Sequence, residues 1–280
     1  MVRRFCVLIL MVVIAFPSLA LGQQDEPMPT SVEIDQASPF LEVSYGMASP
    51  AFKDAGFDYE NIGMLEFKAG YGFIDSSAGS IVAILDSYLF FSLASSDLGS
   101  SGSAEDEGSK FNRFGMGNRL GFGYQGETRG LDLYNQNALH WTEFTAADGT
   151  VPGPEAEAVF DRLGSQHRFG HLMEAGAKVR LSPSMALNVG AEGAVIYPRY
   201  VFWPWLGSVA IYSALQGAVE YFAESVMESS PSMGPVIYFV LKTAVSAGYY
   251  FASQDDMNWP FDSERPVTVG SLKIGATFSF

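Results

Sequence analysis

Three histidines are the side chains in this sequence best suited to moving protons near neutral pH. His140 precedes a hydroxyl by two positions, in His140-Trp-Thr142, with Asn137 and Glu143 close by. His167 follows one by two, in Ser165-Gln-His167, and His171 comes four residues later, near Glu174. A hydroxyl beside a base is the minimal kit for nucleophilic catalysis. Two histidines four apart suit a zinc ion only on a helix, and the glutamate that would normally follow the first histidine is missing. On a strand the pair would share a face yet lie far apart. The acidic runs Glu105-Asp106-Glu107 and Asp255-Asp256 lack the spaced Asp/Asn-Gly pattern of a dedicated calcium loop, so they read as solvated loop charges. These residues therefore carry no catalytic assignment, no metal and no cofactor, and the histidines read as polar groups on strands.

Whatever they do depends on the elements that hold them. Hydrophobic residues make up 48% of the chain and aromatic residues 14%, but charged residues only 17%, with 29 glycines. Water-soluble domains usually carry about a quarter charged residues. The 31 Asp+Glu against 16 Lys+Arg give a net charge of −15, which repels nucleic acid. Arg3 and Arg4, the apolar run from Phe5 to Phe16, and Ala20-Leu21-Gly22 form a charged, apolar and small-residue series that reads as a secretory leader over 1–22. Cys6, the single cysteine, falls inside it, so the exported chain has neither disulfides nor thiolate chemistry.

Beyond a short periplasmic segment at 23–39, residues 40–280 show a period of two. Leu41, Val43, Tyr45 and Met47 alternate with Glu42, Ser44 and Gly46. The same pattern recurs in 65–73, 89–94, 114–124, 173–181, 187–197 and 272–280, and 131–144 is a more polar candidate. One face is large and apolar, while the other is Gly, Ser and Ala with sparse charges: Glu66, Lys68, Arg113, Arg119, Glu174, Lys178, Arg180 and Glu192. These eight are expected to face a narrow interior where opposite signs pair. Tight connections (182–184, 126–130) alternate with long polar ones (96–110, 145–168), the pattern of a membrane barrel with short turns at one end and long loops at the other. The expected fold is an all-β, antiparallel transmembrane β-barrel of eight strands, or ten if Val236–Phe251 is a strand with one further partner.

A stretch near 206–228 departs from this period. Tyr212, Leu215, Val219, Phe222 and Val226 recur at helical spacing opposite Gln216, Glu220, Glu224 and Glu228, which predicts an inserted amphipathic helix. Its expected place is the barrel rim, with the interface, the mouth or the interior as alternatives. Tyr197, Tyr200, Phe202, Trp203 and Trp205, just ahead of it, read as part of an interfacial aromatic girdle.

The chain ends with Leu272, Ile274, Ala276, Phe278 and Phe280 at every second position. This resembles the C-terminal β-signal of the bacterial outer-membrane β-barrel superfamily, and the size is similar to its small OmpA-, OmpX- and OmpW-like members. The resemblance implies an outer-membrane location, recognition by the barrel-assembly machinery, and outer-membrane lipids as surroundings. Lipid-modifying enzymes of that superfamily carry a His-x-Ser element on a strand, and neither histidine motif here supplies it. The expected function is a non-enzymatic structural or surface-interaction barrel, its surface ligand unknown; the alternative is a channel for small or hydrophobic solutes, with a lipid-modifying outer-membrane enzyme ranked after it.

Overall fold

The computed structural model describes residues 37–53, 61–78, 81–99, 110–126, 129–145 and 166–280. The segment read as a leader (1–22), most of the segment expected to be periplasmic, the acidic run at 105–107 and Ser165 lie outside them. Within them, eight strands close into one antiparallel barrel in simple up-and-down order. They are β1 (Ser38–Ala51), β2 (Ile62–Ala78), β3 (Ile81–Ser95), β4 (Lys110–Gln125), β5 (Gly130–Thr145), β6 (Arg168–Ser182), β7 (Met185–Ile196) and β8 (Val267–Ser279). Each of the eight alternating segments seen in the sequence falls on one of them, 187–197 and 272–280 overrunning β7 and β8 by a single residue. Closure is made by β8, whose Gly275 pairs with Ser44 of β1 on one side and Asn188 of β7 on the other. With no edge left, every strand finds backbone partners on both sides, as crossing a bilayer requires.

Parity decides direction. Glu42 on β1 meets Arg119 on β4, and Asp86 on β3 meets Lys178 on β6. Those strands are not neighbours, so the side chains can meet only through the barrel. Residues of the opposite parity are the exposed ones, among them Leu41, Val43, Phe67, Leu89, Phe114, Leu187, Val189, Leu272 and Ile274. The barrel is therefore polar within and apolar without.

Between β7 and β8 the chain forms a helical hairpin, α1 (Phe202–Ser229) and α2 (Gly234–Ser253). Val236–Phe251 is thus helix and not strand, which settles the strand number at eight. At 1.5 Å per residue the two helices run about 42 and 30 Å. The hairpin leaves the end of the barrel opposite the termini and folds back along the outer wall. Tyr124, near the terminus-side end of β4, donates a hydrogen bond to the Ser232 carbonyl in the bend, at 2.7 Å. At the other end Trp205 packs on Phe169, with ring centroids 5.6 Å apart. The expectation that this segment sits at the rim is corrected: it spans the height of the wall.

Candidate functional site

The interior is built from the small residues upward. Glycines on the inward face leave room for large side chains rather than for water. A Cβ on Gly176 would lie 2.4 Å from the Tyr134 hydroxyl, and one on Gly190 would lie 2.5 Å from a Glu174 oxygen. Into that space project Glu42, Glu66, Asp86, Asp132, Glu174 and Glu192, with Lys68, Arg113, Arg119, Lys178, Arg180 and Lys273. All twelve are in ion pairs. Arg119 grips both oxygens of Glu42 at 2.9 and 3.0 Å and reaches Asp86 at 3.1 Å. Arg113 bridges Glu192 at 2.7 Å and Glu66 at 3.3 Å. Lys68 lies 3.3 Å from Glu42 and 3.2 Å from Glu66, and Arg180 pairs with Asp132 at 3.0 Å.

Glu66, Glu174 and Glu192 bring three carboxylates close enough to hold a metal ion. Lys273 already stands among them, its ammonium 2.7 Å from Glu66 and 2.6 Å from each of the others. The position a cation would seek is filled by the chain's own. All eight interior charges expected from the sequence face inward, and all are in ion pairs. Glu42, Asp86, Asp132 and Lys273 belong to the same set. Each has inward parity, so extending the alternation along β1, β3, β5 and β8 finds them.

Above this network the interior is apolar. Phe52, Ile62, Phe111, Phe144, Ile196 and Val267, all at strand ends away from the termini, are buried in one cluster. Toward the other end Val82 and Ile84 pack with Tyr134. Arg113 and Arg119 have 1% and 0% of their surface accessible. An eight-stranded barrel is just wide enough for its side chains to fill it, and here they do.

The histidines separate onto different faces. His140 points inward, with Nδ1 2.8 Å from the Thr142 hydroxyl. His171 points outward, its Nδ1 2.5 Å from the Tyr197 hydroxyl. His167 is exposed at the loop end, with Nε2 3.1 Å from Asn112. No serine hydroxyl bonds any of them among the described residues.

The second built region is the seam between hairpin and wall. Its buried face is polar. On α1 it carries Trp205, Ser208, Gln216 and Ala223; on α2, Tyr238, Lys242, Ser246, Tyr249 and Ser253. Gln216 donates to Tyr212 at 2.8 Å and Ser246 at 2.9 Å, Lys242 pairs with Glu220 at 3.0 Å, and Ser208 lies 2.7 Å from the Tyr249 hydroxyl. The wall answers in kind. Tyr212 donates to Asn137 at 2.7 Å, and Asn135 donates to Thr243 at 2.9 Å. Tyr250 lies over Gly193, where a Cβ would come within 2.8 Å of its ring. Asn135, Asn137, His171 and Gly193 all have outward parity, which explains why β5 looked polar on both faces.

The outer face of the hairpin is apolar: Trp203, Leu206, Leu215, Phe222, Val240 and Phe251 are exposed. Periodicity gave the helix, but its faces are not sorted by polarity, since Tyr212 of the apolar set bonds the wall and Glu228 of the polar set is exposed. Gln216 is buried, while Leu215 and Phe222 face out. No helix among the described residues is long and apolar enough to cross a membrane alone.

Of the five aromatic residues read as a girdle, Tyr200, Phe202 and Trp203 are exposed, whereas Tyr197 and Trp205 are buried under the hairpin with Met257. The exposed three continue a belt along that end: Phe114 stacks on Trp141 at 5.8 Å, Trp141 meets Phe169 edge-on at 5.7 Å, and Phe169 meets Tyr200 at 5.2 Å. In the terminal run, Leu272, Ile274, Phe278 and Phe280 are exposed on the outer wall and Ala276 is half-buried. Phe280 donates its backbone N–H to Pro39, joining the chain's last residue to the start of β1.

No family model matches the chain, and neither does any curated relative. Among solved structures, Neisserial surface protein A is similar at 9% identity, over 86% of this chain and 97% of that one, with a TM-score of 0.37. Ail, the attachment invasion locus protein of Yersinia pestis, is similar at 10% identity, over 88% and 99%, with a TM-score of 0.35. The same protein has also been solved with the heparin analogue sucrose octasulfate. At these TM-scores neither protein lends a role to any residue here, and the chain stands on its own architecture, a closed eight-stranded antiparallel β-barrel with a helical hairpin along its outer wall.

Proposed function

We propose that the protein is an integral outer-membrane barrel of the structural or surface-interaction kind, which neither conducts solutes nor catalyses a reaction. The observation that carries this reading is the inside-out distribution of polarity. Ion pairs fill the interior, and apolar side chains cover both the strands and the hairpin. That arrangement is stable in hydrocarbon and costly in water, where so large an apolar surface would associate. The leader and the C-terminal Phe pattern support the outer membrane as the particular bilayer. Separation of the three histidines supports a non-catalytic role.

A barrel sealed by Arg113, Arg119 and the apolar cluster above them should be electrically silent. Purified, refolded protein in a planar bilayer is expected to give no discrete current steps, with heat-modifiable gel migration as proof of folding. Reproducible steps from folded protein would overturn the sealed reading and restore the channel.

Deletion of Phe280 tests the address separately. Its loss should lower the yield of assembled barrel in cells, while refolding into detergent in vitro proceeds. Wild-type assembly without Phe280 would remove the terminal pattern as support for the outer membrane.

A further inference from the structure

The hairpin does not lie flat on the wall. Its second helix packs along β4 to β7, while the first is held largely by the second, through Gln216 and Glu220, and touches the wall at Tyr212, at Trp205 and around Ala223. Beneath the middle of α1 a cavity of about 250 Å³ remains between the helix and strands β4 to β6. Met116, Leu120, Leu139 and Val209 make it largely apolar. Gln216 lines it as well, buried, with its amide nitrogen engaged by Tyr212 and Ser246 and its Oε1 without a partner. A buried carbonyl oxygen left unpaired in an apolar setting is costly, so a donor is owed there. The only cation in the lining, Lys242, is already paired with Glu220. That leaves no counter-charge for an ionised head group. Beside Gln216, the exposed Gly217 has open space where a side chain would begin, with no atom within 4 Å. Because the cavity is on the outer face, it opens towards lipid and not towards the sealed interior.

We propose that this cavity binds an uncharged, single-chain amphiphile whose hydroxyl donates to Gln216 Oε1 and whose chain lies along Met116, Leu120 and Leu139. The inference rests on the reading of the hairpin as a lipid-embedded element. A hydroxyl satisfies the orphan acceptor, and an alkyl chain satisfies the walls.

The test uses the full chain refolded in detergent micelles, equilibrated with labelled 1-dodecanol or labelled dodecane. Folding is checked for each sample by heat-modifiable migration. Dodecanol is expected to show a saturable, stoichiometric excess over protein-free micelles, roughly tenfold tighter than dodecane, as one hydrogen bond warrants. Gly217→Trp places an indole in the open space and should abolish the excess while the barrel stays folded. Gln216→Met keeps the volume but removes the acceptor, and should bring dodecanol down to the dodecane level. No saturable excess, equal binding of the alkane, or binding unchanged in Gly217→Trp would each overturn the proposal. The cost of Val189→Arg, on the outer wall, to the urea midpoint in lipid vesicles is independent of these outcomes, so a failed binding site and a failed membrane barrel are told apart.

Discussion

Replacing Arg119 by alanine is expected to cost about 3–5 kcal/mol of barrel stability, the toll of breaking a buried ion pair and leaving its partner charged. Two carboxylates lose the guanidinium at once, and Glu42 keeps only Lys68, at 3.3 Å, and the Thr277 hydroxyl. Glu42 is held by both arms of the guanidinium, and Asp86 keeps only Lys178, at 2.9 Å. The aromatic ring of Tyr134, whose centroid lies 4.5 Å from the guanidinium carbon, loses a stacking partner as well. Urea titration of the refolded protein, followed by gel migration and tryptophan emission, reads the effect. The double variant Arg119→Met with Glu42→Gln should recover part of the loss, because the uncompensated charge is gone. A midpoint within experimental error of wild type for Arg119→Ala would mean that water reaches the network, and the sealed interior would have to be given up.

The second large effect separates a membrane barrel from a soluble one. Val189 is exposed on β7 and pairs with Ile274 and Ala177, near mid-strand on the outer wall. In water, Val189→Arg would be a surface change worth no more than about 0.5 kcal/mol. At the middle of a bilayer, an arginine on the lipid face costs about 2–4 kcal/mol. Leu215→Arg, on the outer face of α1, asks the same question of the hairpin, where the cost at a helix centre is about 2.5–3.5 kcal/mol. Both variants should lower the urea midpoint in lipid vesicles. If Val189→Arg is costly and Leu215→Arg is not, the barrel crosses the bilayer while the hairpin stands clear of it, and the amphiphile site loses its setting.

Much of the fold could be read along the chain because a strand's period is two and a barrel exposes each face to one medium. Leu65, Phe67, Tyr71 and Phe73 announce β2 without any partner in view. Glu66 and Lys68, between them, must point the other way. Asp86 was harder to see, since alternation in β3 stands out only from Leu89 onward. Asp132 lies on a strand whose two faces are both polar. Its outward Asn135 and Asn137 contradict a lipid-facing wall until a helix covers them.

Sequence by itself determined the kind of fold: an antiparallel barrel, the core of each of its eight strands, most of the inward charges, the glycines between them, and a helix near 206–228, while the choice between eight strands and ten waited for Val236–Phe251 to be seen as helix. Each follows from local periodicity and from the need of every backbone group for a partner. Tertiary structure alone decided where that helix goes. Spacing places Gln216 and Glu220 on one face and Leu215 and Phe222 on the other, but it is silent on which face meets protein. In the fold Gln216 and Glu220 turn inward to Ser246 and Lys242, Tyr212 of the apolar set joins them by donating to Asn137, and Leu215 and Phe222 turn outward. Tyr197 and Trp205 are buried for the same reason, as the hairpin returns over them. The cavity under α1 likewise appears only where the hairpin folds back over β4 to β6, and no run of residues records that.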